Sequence, residues 1–117
     1  MTMHPSPTLF LVPRQRVAEL EWEPLPGHDG VDHRALYRDA HSVAGVLRLR
    51  PGAGELTHLH LHGEHHLWVL AGSVTIDDTV LGTDSYLHIP SGLTHRLVDL
   101  GAGSMLFYVF CETPTRA

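Results

Sequence analysis

A chain of 117 residues has room for one domain, large enough to bury a core without disulfide staples, and its one cysteine, Cys111, excludes an internal disulfide and suits a reducing compartment. Eight basic against thirteen acidic residues give a formal charge of −5, which disfavours a nucleic-acid or anionic-membrane footprint. All eight basic residues are arginine, so Schiff-base chemistry, which needs an amine nucleophile, has no lysine to use.

Along the chain no window sustains apolar residues at helical spacing over helical length, and the expectation is strands punctuated by turns. Residues 1–21 read as an arm, with a short extended piece over Leu9 to Val12 and a turn near Val17 to Leu20. The arm has neither a charged leader nor a sustained apolar run, so we expect a cytoplasmic protein with no membrane span. Trp22 to Leu25 and His33 to Arg38 read as strands around the loop Pro26-Gly-His-Asp-Gly30. Ser42 to Arg50 alternates Val43, Gly45, Leu47 and Leu49 against Ala44, Val46, Arg48 and Arg50, and Pro51-Gly52 stops it. Glu55 to Leu61 follows, then a turn at His62-Gly63 and a long strand from His65 to Asp77 interrupted near Ala71-Gly72. Asp77-Asp78 closes a hairpin, and strands recur at Thr79 to Leu81, Ser85 to Ile89, His95 to Asp99 and Met105 to Cys111. Eight or nine short strands predict an all-β sandwich or barrel of the jelly-roll kind, which limits exposed edges. No internal repeat is present.

Chemistry concentrates between residues 58 and 66, where His58, His60, His62, His65 and His66 supply five of the eleven histidines. Neutral imidazole is the commonest protein ligand for transition metals. Residues two apart on a strand share a face, with Cα atoms roughly 6.6 Å apart, so His58 and His60 can reach one ion held about 2.0–2.1 Å from each nitrogen. Further ligands must come from neighbouring strands, and His65 and His95 are placed to supply them. His62 and His66 read as a turn residue and an outward neighbour of the ligand strand. His88 reads as a surface or interface histidine sharing a face with Tyr86. Trp68, Tyr86, Phe107, Tyr108 and Phe110 default to core or interface positions. Arg48 and Arg50 share a face and could clamp a carboxylate, although the leading reading is solvated charges on an outer sheet, and Cys111 reads as a buried small hydrophobe.

These residues resemble the cupin superfamily, whose first motif reads G-x5-H-x-H-x(3,4)-E-x6-G and whose second reads G-x5-P-x-G-x2-H-x3-N. Gly52, His58, His60 and Gly72 match the first, with His65 where the family usually carries glutamate. Pro90, Gly92 and His95 match the second, with Asp84 in place of its glycine and Asp99 in place of its asparagine. The resemblance spans about residues 42–111 and looks most like small single-domain cupins of the ChrR type, which include zinc-binding anti-sigma domains and iron dioxygenase relatives acting on diketones or acetophenones. It implies a double-stranded β-helix, a single cupin domain over 1–117, and metal ligation by His58, His60 and His95, with His65 substituting for the glutamate. If the turn shifts by one residue, Glu64 rather than His65 faces the ion, since neighbours on a strand point to opposite faces. His65 is favoured because it keeps the spacing to Gly72.

Nitrogen ligation suits Zn, Fe, Ni or Cu and argues against Mg and Ca. Replacing carboxylate by imidazole leaves the ion's charge uncompensated, so an acidic or enolisable small molecule fits. Two main readings stay open. One is a metal-dependent enzyme, dioxygenase-like or acting on another carbonyl or enolate, with an open coordination position. The other is a non-catalytic sensor or binding protein with a closed four-histidine site. A metal-free module would leave buried histidines needing other partners. Sigma-factor binding requires a helical segment that the proline-rich first 41 residues do not offer. A homodimer is expected, with the Leu9 to Val12 piece exchanged between partners.

Overall fold

The computed structural model describes residues 7–26, 28–51, 55–58, 63–93, 95–99 and 103–112, the segments 55–58 and 95–99 as backbone. Among the described residues ten strands form two antiparallel sheets: β1 (Glu23–Pro24), β2 (Val31–Arg38), β3 (Ser42–Leu49), β4 (Glu55–His58), β5 (Gly63–Ala71), β6 (Ser73–Ile76), β7 (Thr79–Gly82), β8 (Tyr86–Ile89), β9 (His95–Asp99) and β10 (Met105–Glu112). The larger sheet runs β1-β2-β3-β10-β5-β8 and the smaller runs β4-β9-β6-β7. This is the two-sheet jelly-roll architecture, a double-stranded β-helix, and the strand positions follow the sequence expectation closely.

The core lies between the sheets. Val31, Leu47, Leu49, Leu67, Val69, Ile89, Leu106 and Tyr108 from the large sheet meet Val74 from the small one. β10 is central, and Leu106 stands opposite Leu47 of β3 on one side and Val69 of β5 on the other. Alternation decides which side chains enter: along β5, Gly63, Leu67 and Val69 are buried while Trp68 and Leu70 are exposed, the period-two signature of a sheet wet on one face.

Turns carry the chain between sheets. At Gly72 (φ +75°) it leaves the large sheet and enters the small one, and an added Cβ there would lie 2.9 Å from Ser104 Oγ. Ser104 is fully buried, accepts the Ser73 N–H at 3.2 Å and donates to the Ser73 carbonyl at 2.5 Å. Asp77 (φ 48°) and Asp78 (φ 62°) both adopt left-handed conformations and join β6 to β7 by the two-residue loop that matches the right-handed twist of paired strands. Asp84 also has a positive φ of 69°. Aspartate tolerates that region better than most residues, so it can stand where the second sequence motif carries glycine.

Four expectations are corrected. Arg14–Glu19 is an α-helix, α1, capped by Pro13, where the sequence suggested only a turn near Val17 to Leu20. Six residues are too few for a periodicity test; Pro13 is the N-cap, with ψ 158°, and its carbonyl accepts from the Arg16 and Val17 N–H groups at 2.8 and 3.0 Å. Leu9 to Val12 forms no strand, and Leu9, Phe10 and Leu11 are exposed. Arg48 and Arg50 are not free solvated charges: Arg48 bonds Asp32 through Nη2 at 2.9 Å and Arg50 at 3.3 Å, neutralising a carboxylate that is only 7% exposed. Arg34 and Arg48 also lie over the Trp22 ring, at 4.2 and 4.3 Å from its centroid, which ties the β1 segment to the outer face of the sheet. Among the aromatics, Trp68 and Tyr86 are exposed, and Cys111 is half-buried on the outer row of β10. No helix among the described residues is long and apolar enough to cross a membrane.

Candidate metal centre

Pairing of β4 with β9 sets His58 directly opposite His95, so two of the sequence-selected histidines, far apart in the chain, occupy neighbouring backbone positions. His60 lies outside the described residues, as do the side chains at 58 and 95. His65 continues the inner row of β5 between Gly63 and Leu67, opposite Phe110 of β10 and Ile89 of β8. Its ring meets Phe110 edge-on at 5.0 Å and Tyr108 at 6.2 Å. Glu64 falls on the other face. The alternation that sends His65 inward sends its neighbour outward.

Beside His65 lies a pair that the sequence reading did not select. Tyr108, 7% exposed, is hydrogen-bonded to His33 Nε2. Burial pushes the Tyr108 phenol up to about 12, opposed by Arg38. Burial also lowers the His33 pKa, helped by the Arg38 charge and opposed by Glu23. Both groups are therefore neutral near pH 7, and the phenol O–H donates to the imidazole. His33 and Tyr108 stand on β2 and β10, two strands apart across β3, a juxtaposition without local signal in the sequence.

The shift has a stability consequence. With its folded pKa below the 6.5 of a free histidine, His33 binds fewer protons folded than unfolded, so its contribution is complete above about pH 6.5 and is lost as pH falls through the folded value. In metal-free protein, the urea midpoint should drop more between pH 7.5 and 5.5 for the wild type than for His33→Gln. Equal drops would contradict a neutral, half-buried His33.

On the outer face a second group assembles. β8 pairs with β5 so that His66 stands opposite His88 and Trp68 opposite Tyr86. Glu64 Oε2 lies 3.3 Å from His88 Nε2 and Oε1 lies 3.6 Å from His66 Nε2. The two imidazoles stack with centroids 4.8 Å apart, and His66 Nδ1 is 2.6 Å from the Tyr86 hydroxyl. Glu64, His66 and His88 could hold a metal ion, since one donor atom from each falls within 4.8 Å of the others. Sequence reading placed His66 and His88 outward but assigned them no joint role. The missing information was the β5–β8 register, which brings residue 88 beside 64 and 66.

Residues 14–113 match the ChrR Cupin-like domain family. No curated protein matches by sequence. Among solved structures, an RmlC-like cupin protein from Ralstonia eutropha superposes with a TM-score of 0.76 at 16% identity, covering 90% of this chain and 69% of that one. The polyketide cyclase RemF from Streptomyces resistomycificus gives 0.70 at 23% identity, covering 89% and 81%. The complex of SigE with the anti-sigma ChrR from Rhodobacter sphaeroides gives 0.64 at 23% identity, and there this chain covers 51% of the matched chain against 81% of itself. At these identities the likeness to the solved structures is one of fold.

Proposed function

Because the chain belongs to the ChrR Cupin-like domain family, we propose that it holds a divalent transition metal on His58, His60, His65 and His95 and acts as an enzyme on a small enolisable or acidic carbonyl compound. The observation that carries this reading is the β4–β9 register, which pairs position 58 with position 95. His65 on the inner row of β5 adds to it. The donor set fits: neutral imidazoles suit Zn, Fe, Ni or Cu, and positions 58, 60 and 95 are those that match the histidines of the two cupin motifs. Bound there, such an ion supplies Lewis acidity toward a carbonyl or enolate oxygen, and with iron the means to use dioxygen.

The chain's own residues set the selectivity. Four imidazoles bring no compensating negative charge, so an anionic ligand is favoured. The neutral Tyr108–His33 pair offers a polar contact without a second negative charge, and Phe110 beside His65 supplies an apolar wall. The exposed Leu9, Phe10 and Leu11 of the arm suit a homodimer contact.

Oxygen uptake and product formation with Fe(II)-loaded full-length protein, measured over diketones and hydroxyaromatic ketones, tests this reading. We expect turnover with at least one member of that panel and its loss in His58→Ala. Absence of turnover, together with four tight histidine ligands and no exchangeable water, would replace the enzyme by a closed metal-sensing site.

A further inference from the structure

We infer that Glu64, His66 and His88 form a second metal site, on the outer face of the barrel, that binds a borderline divalent cation of the zinc class and clips the edge strand β8 to β5. It is separate from the inner site, because residues 64 and 66 occupy the opposite row of β5 from His65.

Three observations carry the inference. The first is spacing. Ligand atoms about 2.0–2.1 Å from a tetrahedral ion lie about 3.3–3.4 Å from one another, and Glu64 stands 3.3 Å from His88 Nε2 and 3.6 Å from His66 Nε2. All three donor atoms lie within 4.8 Å of one another, so side-chain rotations that close the widest gap by up to about 1.4 Å let them share one ion. The second is orientation. Tyr86 sits 2.6 Å from His66 Nδ1, so that nitrogen can donate its proton to the phenol oxygen and leave the Nε2 lone pair facing Glu64. An imidazole fixed through its distal nitrogen is how proteins set the tautomer of a metal ligand. The third is access. The three side chains are 36%, 38% and 41% exposed for Glu64, His66 and His88, so an ion enters from solvent and three protein ligands leave a position for water.

Charge fits as well. One carboxylate and two neutral imidazoles offset half of a dication's charge, and the remainder stays in water, where it costs little. β8 is the last strand of its sheet and has four residues, so a cross-strand ion adds a link where, among the described residues, one ladder of backbone bonds holds it.

The test is a zinc titration of metal-stripped full-length protein, read by calorimetry, elemental analysis and thermal unfolding. The wild type should take up about two equivalents, and His88→Ala and His66→Ala about one each. Tyr86→Phe should keep both equivalents but weaken the outer one by about 10- to 100-fold. Zinc should raise the melting temperature of His58→Ala, which keeps the outer site, and this rise should vanish in the double variant His58→Ala with His88→Ala. Two equivalents retained in His88→Ala at unchanged affinity would overturn the inference. One equivalent in the wild type, lost in His58→Ala and kept in His88→Ala, would also overturn it and leave the inner site standing. One equivalent lost in His88→Ala and kept in His58→Ala would uphold it and remove the inner site instead.

Discussion

His58→Ala and His95→Ala should each remove the inner metal from the protein while leaving the fold and the outer site in place. The two positions are register partners in β4 and β9, so under the proposed ligation each substitution removes one of four ligands. Loss of an outer-shell partner already costs about 10- to 100-fold in affinity, and loss of a direct ligand costs more. Elemental analysis after dialysis should therefore fall from about two equivalents to about one in each variant. His60→Ala and His65→Ala should behave the same way. Glu64→Gln separates the two frames that the sequence leaves open. With His65 on the inner row and Glu64 on the outer, it should spare the inner equivalent and weaken the outer one. The reverse result, inner metal lost in Glu64→Gln and kept in His65→Ala, would show that the turn before β5 is shifted by one residue.

Leu106→Ala should be the most damaging single change in the core. Leu106 is 1% exposed and lies in the central strand of the large sheet, opposite both Leu47 and Val69. Truncation leaves a cavity lined by side chains from three strands, each fixed by its own hydrogen-bond ladders, so collapse around it is limited. Buried Leu→Ala changes cost about 2–5 kcal/mol, and this site belongs in the upper half of that range. Against a total stability of about 5–15 kcal/mol, the loss should lower the melting temperature by roughly 10–20 °C. Val80→Ala, at a position 60% exposed, provides the control and should stay within about 0.5 kcal/mol of wild type. A Leu106→Ala protein as stable as the control would mean that β10 is not the centre of the sheet.

Much of this architecture is legible in the sequence because its signals are local. Alternation of apolar and polar residues in 42–50 gives β3 and its inner row, Gly72 marks the change of sheet, and Asp77-Asp78 marks the β6–β7 turn. The alternation that puts His65 and His66 on opposite faces is local too. What local signals cannot give is register between strands distant in sequence. The pairing of β8 with β5 turns Glu64, His66 and His88 into a group, and the placement of β2 and β10 on either side of β3 lets His33 reach Tyr108. The same limit explains Arg48 and Arg50, whose partner Asp32 is on the adjacent strand. Asp84 is a milder case. Its left-handed backbone accounts for the substitution at a glycine position, although the residue alone does not announce that geometry.

The most direct test is a crystal structure of zinc-loaded protein with anomalous diffraction recorded across the zinc edge. A peak within bonding distance of His58, His60, His65 and His95, inside the barrel, is the expected result. Imidazoles at 58, 60 and 95 turned away from one another, with no anomalous peak among them, would contradict the account.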